Sequence, residues 1–392
     1  MQRRLYLVWR KELIENLRTF SLKDTFRFPT GGYNIPLMLG ILLVTVHLDW
    51  ISKWGFGTIV GWTLLTTGTL LTLLKRYKTV KLDWITLIPL LLIILSTLIS
   101  VLLGKSSLLS LVLLVVSLGL YFVGTLLGPK IFLFVIPLGL QISIASLIEG
   151  LRYINSPDGI VAGGMGLTGN SGLAGTIIGF AALLLPGNWL WLAIPLEVGL
   201  FFAGDHWSII ALVIVGIIML IKRDYYFKNT KVLISLVLVG LVLTLGFWPS
   251  GTTQKIWGFT VSNNQLIAEP GGSPVDLGLN DRVRIDLEVV KDVSIVGKGI
   301  QSDTPTKFDG SVLITRYQGM VHNIPIMILD DLGPIAAVAW VFLVVLLILK
   351  YPTTRYIWAF ILVTSLFSYW WWIPTAIGSW FFTLVGTTVY NR

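Results

Sequence analysis

Long apolar stretches recur along almost the whole sequence, and they constrain its fold more than any other feature. Each has roughly 16–22 residues, enough for a helix to cross about 30 Å of hydrocarbon. About twelve can be counted, at 35–50, 54–74, 82–103, 106–127, 130–149, 171–186, 188–204, 207–222, 231–248, 333–350, 355–372 and 374–389. With 55% hydrophobic and only 12% charged residues, the composition excludes a soluble globular domain. The sequence therefore predicts an all-α membrane protein with about twelve transmembrane helices.

The chain has no cysteine, which excludes disulfides, cysteine-ligated zinc, iron–sulfur clusters and a thiol nucleophile. The spacing of its His, Asp and Glu residues matches no metal site. Neither a metal nor a cofactor is expected.

The net charge of +9 is explained by membrane topology better than by nucleic-acid binding, because the basic residues lie mainly between apolar stretches. Alternate connections are basic, at Lys75-Arg76-Tyr77-Lys78, Lys130, Lys222-Arg223 and Lys350 with Arg355. The other connections carry acids, at Asp49, Glu149, Asp158 and Asp205. This pattern predicts cytoplasmic N- and C-termini.

Four regions follow from this topology. Residues 1–34 are predicted to form a basic amphipathic segment on the cytoplasmic membrane surface, with a disordered basic arm as the alternative. Residues 35–248 hold the first nine transmembrane helices and 333–392 the last three. Between them, 249–332 form one long extracytoplasmic loop in which short helices are expected. Within that loop, Val283, Leu287 and Val290 form a helical apolar stripe, which indicates order.

His322 and Asn323 stand at the end of this loop, just before a membrane span. The chain has only 3 His residues, so a titratable ring at the membrane boundary is unusual. A neutral imidazole can take a proton from a hydroxyl, and Asn323 can hold the ring or a substrate oxygen by hydrogen bonds. The alternative is that His322 caps the following helix.

Three arginines, Arg282, Arg284 and Arg316, lie in the same loop, where the positive-inside rule does not require them. A guanidinium makes forked, charge-assisted bonds to phosphate oxygens. The alternative is a salt bridge, and it suits Arg284 best because Glu288 follows at i+4. Arg282 is the stronger functional candidate.

Two further groups lie at predicted outer boundaries. Asp205-His206 joins two spans, and an acid beside a His in a membrane protein indicates a functional site or an interfacial pair. Arg152 can meet an anion or pair with Glu149 at i, i+3. The Gly-rich run at 161–170 follows no strand, so it favours helix packing or loop flexibility over a nucleotide loop.

Taken in order, these residues resemble the O-antigen ligase/polymerase superfamily of bacterial membrane glycosyltransferases over roughly 165–390. The resemblance rests on Asn170-Ser171-Gly172-Leu173-Ala174, Arg282 followed by Gly297-Lys298-Gly299, His322-Asn323 with Leu332-Gly333, and an aromatic segment from Tyr369 to Pro374. One motif departs: the family usually has Ser-Arg-Gly where this chain has Gly204-Asp205-His206-Trp207. His206, if protonated, or Arg152 or Arg316, is a candidate to replace that arginine.

The resemblance implies a metal-independent, inverting glycosyltransferase at the outer face of a bacterial inner membrane. Its donor would be a glycan on a polyprenyl diphosphate, and its acceptor a hydroxyl of lipid A-core or of a growing polysaccharide. His322 would deprotonate or orient the acceptor, and Arg282 would stabilise the departing diphosphate. A polymerase and a protein O-oligosaccharyltransferase remain alternatives, as do a non-catalytic membrane protein and a lipid-linked-sugar transporter. Charges in the middle of spans are almost absent, which counts against the transporter.

Overall fold

The computed structural model describes residues 34–45, 56–76, 80, 82–128, 135–154, 171–185, 192–203, 205–222, 260–262, 265–267, 279–300, 307–309, 312–314, 321–352, 354–367, 372 and 378–390. The structure is helical over these residues, apart from two short hairpins, and the predicted helical class is confirmed. The basic segment before Asn34, the predicted span at 231–248, the Gly-rich run at 161–170 and Arg316 lie outside the described residues.

Eleven of the described helices overlap the remaining predicted apolar stretches. The described helices are α1 (Asn34–Thr45), α2 (Phe56–Arg76), α3 (Trp84–Leu102), α4 (Leu108–Leu127), α5 (Val135–Ile154), α6 (Ser171–Leu184), α7 (Ala193–Ala203), α8 (His206–Lys222), α9 (Leu279–Lys291), α10 (Ile324–Leu332), α11 (Pro334–Lys350), α12 (Arg355–Ser365) and α13 (Gly378–Val389). Two of them, α9 and α10, lie in the predicted loop, and that the stretches form twelve spans stays a prediction. Among the described residues, α3 and α4 are long and apolar enough to cross a membrane.

Two antiparallel hairpins occur in the long polar loop, where the sequence predicted only short helices. One pairs β1 (Thr260–Ser262) with β2 (Gln265–Ile267), and the other pairs β3 (Lys307–Asp309) with β4 (Val312–Ile314). Two residues separate the strands in each case, Asn263-Asn264 and Gly310-Ser311. Asn and Gly are typical of two-residue hairpin turns, so a local signal for both hairpins was present.

The chain divides into two compact units. The first comprises Met1–Leu65 and Pro129–Val275, and the second Thr66–Gly128 and Asp276–Arg392. In the first unit α5, α6 and α7 pack against one another. A Cβ at Gly199 would overlap Ser143, whose hydroxyl donates to the carbonyl oxygen of Pro195. Glycine is therefore required for the close approach of α5 and α7.

Aromatic rings and small residues form the core of the second unit. The ring of Phe381 on α13 stacks on Trp340 of α11, with centroids 5.6 Å apart, and meets Trp358 of α12 edge-on. Helices α4 and α13 cross so closely that a Cβ at Gly124 or Gly386 would overlap the carbonyl oxygen of Thr383 or Tyr121. This contact resembles the small-residue helix crossings of membrane proteins.

Polar contacts join the helices of the second unit at two separate ends. At the first, which we call the Asp83 end, the Asp83 carboxylate accepts a hydrogen bond from the Tyr351 hydroxyl and lies 3.4 Å from Lys350 Nζ. At the other, the Asp331 end, Trp372 Nε1 donates to Asp331 Oδ2 at 3.1 Å. Because α3 runs from Asp83 towards the second end and α11 runs from Gly333 back to Lys350, these two helices are antiparallel.

Candidate functional site

His322 and Asn323 form the entrance to α10. Asn323 has an extended backbone (φ −107°, ψ 111°), and its Oδ1 accepts a hydrogen bond from the backbone N–H of Ile326 at 3.3 Å. Asn323 is thus the N-cap, which satisfies a donor that the first helical turn leaves unpaired. The alternative that His322 caps the helix is excluded by this contact. His322 is half-buried and immediately precedes the cap, so the cap fixes its backbone.

Helix α9 carries Arg282 and Arg284 and packs against α10. Ile285 and Val289 are buried, at 4% and 0% exposure. Arg282 is three residues before Ile285 and seven before Val289, so its backbone position lies on that packed face. The structure does not describe the Arg282 side chain. It does bring the two elements that bear Arg282 and His322 into direct contact.

Arg284 forms the salt bridge that its sequence spacing suggested. Its Nη1 lies 2.9 Å from Glu288 Oε1, and both side chains are about two-fifths exposed, at 42% and 41%. The contact assigns Arg284 a structural role on the helix surface. An exposed pair of this kind contributes only about 0.3–0.5 kcal/mol.

The Gly297-Lys298-Gly299 turn, which follows α9, docks on the C-terminal end of α10. Gly297 and Gly299 have φ of 68° and 111°, and a Cβ at Gly297 would overlap the backbone of Asp331. Lys298 N donates to Asp330 O at 2.7 Å, and Gly299 N donates to Asp331 O at 2.9 Å. Two glycines are required here by both backbone conformation and close approach.

A buried ion pair reinforces this turn. Lys298 Nζ lies 2.8 Å from Asp330 Oδ1 and 2.7 Å from Asp292 Oδ2, and the side chains of Lys298 and Asp330 are only 13% and 2% exposed. Carboxylates at the C-terminal end of a helix are electrostatically unfavourable, and the ammonium group offsets that cost. The cluster joins the segment after α9 to the helix that begins at His322.

The α3–α4 turn contacts the same segment. Lys105 Nζ donates to the carbonyl oxygen of Gly297 at 2.9 Å, and Ser106 Oγ accepts from the backbone N–H of Ile300, also at 2.9 Å. A Cβ at Gly299 would overlap the carbonyl oxygen of Lys105. The Asp331 end is therefore a tightly packed junction of the α3–α4 turn, residues 292–300 and the end of α10.

Asp205 lies in the first unit, directly before α8. Its carboxylate Oδ2 accepts from the hydroxyl of Ser208, and it is 8% exposed. A Cβ at Gly175 on α6 would overlap the Asp205 side chain. The carboxylate of Asp205 therefore bonds to a side chain in the first turn of α8 and packs against α6.

The remaining predicted residues are only partly visible. His206 begins α8 and Arg152 lies in the last turn of α5, but the structure does not describe either side chain. Arg316 lies outside the described residues. Within the described part of the chain, no three His, Asp or Glu side chains group closely enough to hold a metal ion.

The chain matches no family model, no curated protein and no solved structure. The resemblance to the O-antigen ligase/polymerase superfamily therefore rests on the order of its motifs in the sequence.

Sequence reasoning missed several polar residues that the structure makes prominent. Lys298 was noted only as the middle of a Gly-x-Gly turn, and the buried Asp330 was not singled out at all. Glu197 was also passed over, although it is an acid inside the apolar segment that forms α7. A carboxylate within an apolar stretch can be detected from sequence. The Lys298–Asp330 pair cannot be detected from sequence, because 31 residues separate its two members along the chain.

Proposed function

We propose that this chain is a multi-pass membrane glycosyltransferase of the O-antigen ligase/polymerase type. It would move a glycan from a polyprenyl diphosphate to an acceptor hydroxyl at the outer face of a bacterial inner membrane. The observation that carries the proposal is the packing of α9 against α10, because α9 bears Arg282 and α10 begins directly after the His322-Asn323 pair. Lys298 and its flanking glycines hold the segment after α9 on the end of α10.

Membrane placement is supported by the apolar surface of α3 and α4. On α3, Ile88 and Leu95 are 52% and 51% exposed, whereas Leu90 and Ile93 are fully buried. On α4, Val115 is 52% exposed. Long helices with apolar residues on their exposed faces are stable in lipid, whereas in water so large an apolar patch promotes aggregation.

The predicted alternation of connections between the two membrane faces is supported by the two ends of the second unit, whereas the charge pattern alone assigns which face is cytoplasmic. The Asp83 end contains Lys350 and the Gly128–Tyr390 contact, and all of these lie in connections that the charge pattern places inside. The Asp331 end contains Lys105, Gly297 and Trp372, and these lie in connections that the same pattern places outside. At both of these ends, the described residues that meet across long sequence intervals belong to connections that the predicted topology places on the same side.

In the proposed reaction, the imidazole of His322 takes the proton of the acceptor hydroxyl as its oxygen attacks the anomeric carbon. The bond between that carbon and the diphosphate oxygen breaks, and its electron pair leaves with the diphosphate. The new glycosidic bond has the inverted configuration. Arg282 neutralises the charge that grows on the leaving group, in a site from which water is excluded. Arg152, Arg316 and His206 are further candidates to bind the diphosphate.

The acceptor class stays open in this proposal. A ligase uses lipid A-core, a polymerase uses another lipid-linked glycan, and an oligosaccharyltransferase uses a protein hydroxyl. The chemistry at His322 is the same in all three, so identification of the glycan-linked product decides among them.

The decisive test compares two arginines on one helix together with the histidine. Each variant is expressed in a strain that lacks the unaltered protein. His322→Ala should then abolish glycan transfer, and lipid-linked glycan should accumulate. Arg282→Ala should lower transfer about 100-fold or more, because it removes charge stabilisation of the leaving group. Arg284→Ala should leave transfer unchanged, since Arg284 pairs with Glu288.

Each variant must insert into the membrane and elute from size-exclusion chromatography as the unaltered protein does. A loss of transfer then reflects a loss of chemistry and not of folding. Normal transfer by a correctly folded His322→Ala variant would refute the proposed reaction. Equal losses for Arg282→Ala and Arg284→Ala would refute the assignment of Arg282.

A further inference from the structure

Helix α9 exposes an apolar stripe although it belongs to the most polar region of the chain. Val283, Leu287 and Val290 are 49%, 54% and 49% exposed. Their i, i+4, i+7 spacing places them on one face. By the same helical geometry, this face lies roughly opposite Ile285 and Val289, which are buried against the protein.

Arg284, Glu288 and Lys291 of α9 occupy a different face, whereas Arg282 lies on the packed one. Arg284 and Glu288 form their salt bridge there, and Lys291 follows three residues later. A helix that packs on a protein in water normally exposes such residues on its outer side. In α9 the outer side is apolar and the charges lie between the two apolar faces, a distribution typical of a helix at a membrane surface.

Hydrogen bonds tether the segment after α9 to the turn between the two spanning helices. Lys105 Nζ lies 3.5 Å from Ser294 Oγ and 2.9 Å from the carbonyl oxygen of Gly297. Helices α3 and α4 have 19 and 20 residues, so each is about 30 Å long, the thickness of the hydrocarbon core. A turn between two helices of that length lies at the membrane surface, and the segment bonded to it lies there too.

Exposed apolar residues extend from the segment bonded to Lys105 to the spanning helices. Ile295 is 78% exposed, and its carbonyl oxygen lies against Gly333 at the start of α11, where Ile335 is 56% exposed. The α3–α4 turn is flanked by leucines that are 55–77% exposed, namely Leu102, Leu103, Leu108 and Leu109. The stripe on α9 is therefore connected to the surface that the spanning helices present to lipid.

We propose that α9 lies in the membrane interface at the Asp331 end and that bilayer lipid covers its stripe. Val283, Leu287 and Val290, with Val293 and Ile295, insert at the boundary between head groups and acyl chains. Arg284 and Lys291 stay at the level of the lipid phosphates. The inference rests on the membrane placement of α3 and α4 within the proposed function, and it does not depend on the glycosyl transfer.

The absence of cysteine makes this inference directly testable with single-cysteine variants. Leu287→Cys reports the stripe, Lys291→Cys reports the charged face, and Leu95→Cys reports the middle of α3. Each full-length variant carries an environment-sensitive fluorophore in vesicles of phosphatidylethanolamine and phosphatidylglycerol. Quenching is measured with lipids whose doxyl group lies either near the head group or deep in the acyl chain.

The expected result is strong quenching at Leu287→Cys by the shallow doxyl lipid, weaker quenching at Lys291→Cys by the same lipid, and quenching at Leu95→Cys by the deep one. Val290→Cys repeats the stripe measurement if Leu287→Cys does not fold. Quenching at Leu95→Cys without quenching on the stripe overturns this inference and leaves the membrane placement of α3 intact. A stripe label that reports an apolar environment without lipid quenching is covered by protein, and this also overturns it.

An unquenched Leu95→Cys label overturns the membrane placement of α3, and the inference falls with it. If His322→Ala retains full transfer, the proposed reaction fails, whereas quenching on α9 still supports its place in the interface. The two failures are therefore distinguishable.

Discussion

Two ion pairs in the same region differ in how much their loss should destabilise the protein, because one is buried and the other is exposed. Lys298 and Asp330 are 13% and 2% exposed, and their charges are held beside backbone hydrogen bonds. Arg284 and Glu288 are both about two-fifths exposed, at 42% and 41%, and are screened by water. Breaking a buried pair leaves a charge that has lost its partner in a poorly solvated site, whereas water compensates the loss of an exposed pair.

We expect Lys298→Met to lower the free energy of unfolding by about 3–5 kcal/mol, because it removes the charged partner of buried Asp330. Arg284→Met should cost about 0.5 kcal/mol or less. Thermal or denaturant unfolding in detergent measures both.

The double variant Lys298→Met with Asp330→Leu should recover most of the loss, since two well-packed apolar side chains replace a buried pair at little cost. A double variant as unstable as Lys298→Met would show that the damage comes from packing and not from the stranded charge.

At the scale of elements, the N-terminal end of α10 is stabilised by the residue directly before the helix. Asn323 supplies the capping oxygen, and His322 precedes it. The cap and the proposed base are thus neighbours with separate tasks. Substitutions at Asn323 can distinguish them.

Asn323→Ala should lower stability by about 1 kcal/mol, and Asn323→Asp should retain the cap. Unfolding measurements test the cap, and glycan transfer tests the chemistry. If Asn323→Asp retains stability and loses transfer, Asn323 also contacts substrate or the ring of His322. Equal stability of the Ala and Asp variants would contradict the capping role.

The α4–α13 crossing requires glycine for a different reason from the α3–α4 turn. Gly386 meets the backbone of Tyr121, whereas Gly104 has φ of 68° and no atom within 4 Å of an added Cβ. We expect Gly386→Ala to cost about 3 kcal/mol or more, because two helix backbones must separate. Gly104→Ala should cost about 1–2 kcal/mol, the strain of a left-handed backbone alone.

Unfolding midpoints of the two glycine variants provide the comparison. A smaller effect at Gly386 than at Gly104 would show that the helices can separate without loss.

At the scale of the whole molecule, the second unit is a set of helices joined at two ends by polar contacts. The second unit has its Lys350–Asp83 pair at one end and its Lys298–Asp330 pair at the other. The proposed topology places these ends on opposite sides of the membrane. The sidedness of single residues tests that placement.

In intact cells, a membrane-impermeant maleimide should label Lys291→Cys and should not label Pro352→Cys until the membrane is opened. Both residues are exposed, so accessibility depends on the side alone. Labelling of both variants in intact cells would contradict the proposed orientation.

The sequence by itself indicated where most of the described helices form, because a long apolar stretch away from water satisfies its backbone polar groups as a helix. It also indicated the salt bridge of Arg284, since i, i+4 neighbours meet on any helix. The loop hairpins had local turn signals at Asn263-Asn264 and Gly310-Ser311 that were not used. Local chemistry therefore accounts for most of the elements.

Only the tertiary structure decided which faces of those elements meet. The stripe of Val283, Leu287 and Val290 correctly predicted a helix, yet the structure buries Ile285 and Val289 instead. Lys298 pairs with Asp330, and Asp205 packs on Gly175, across intervals that no local pattern spans. Periodicity fixes backbone geometry because it depends on neighbouring residues. The packed face and the buried charges depend on distant segments, which meet only when the chain folds.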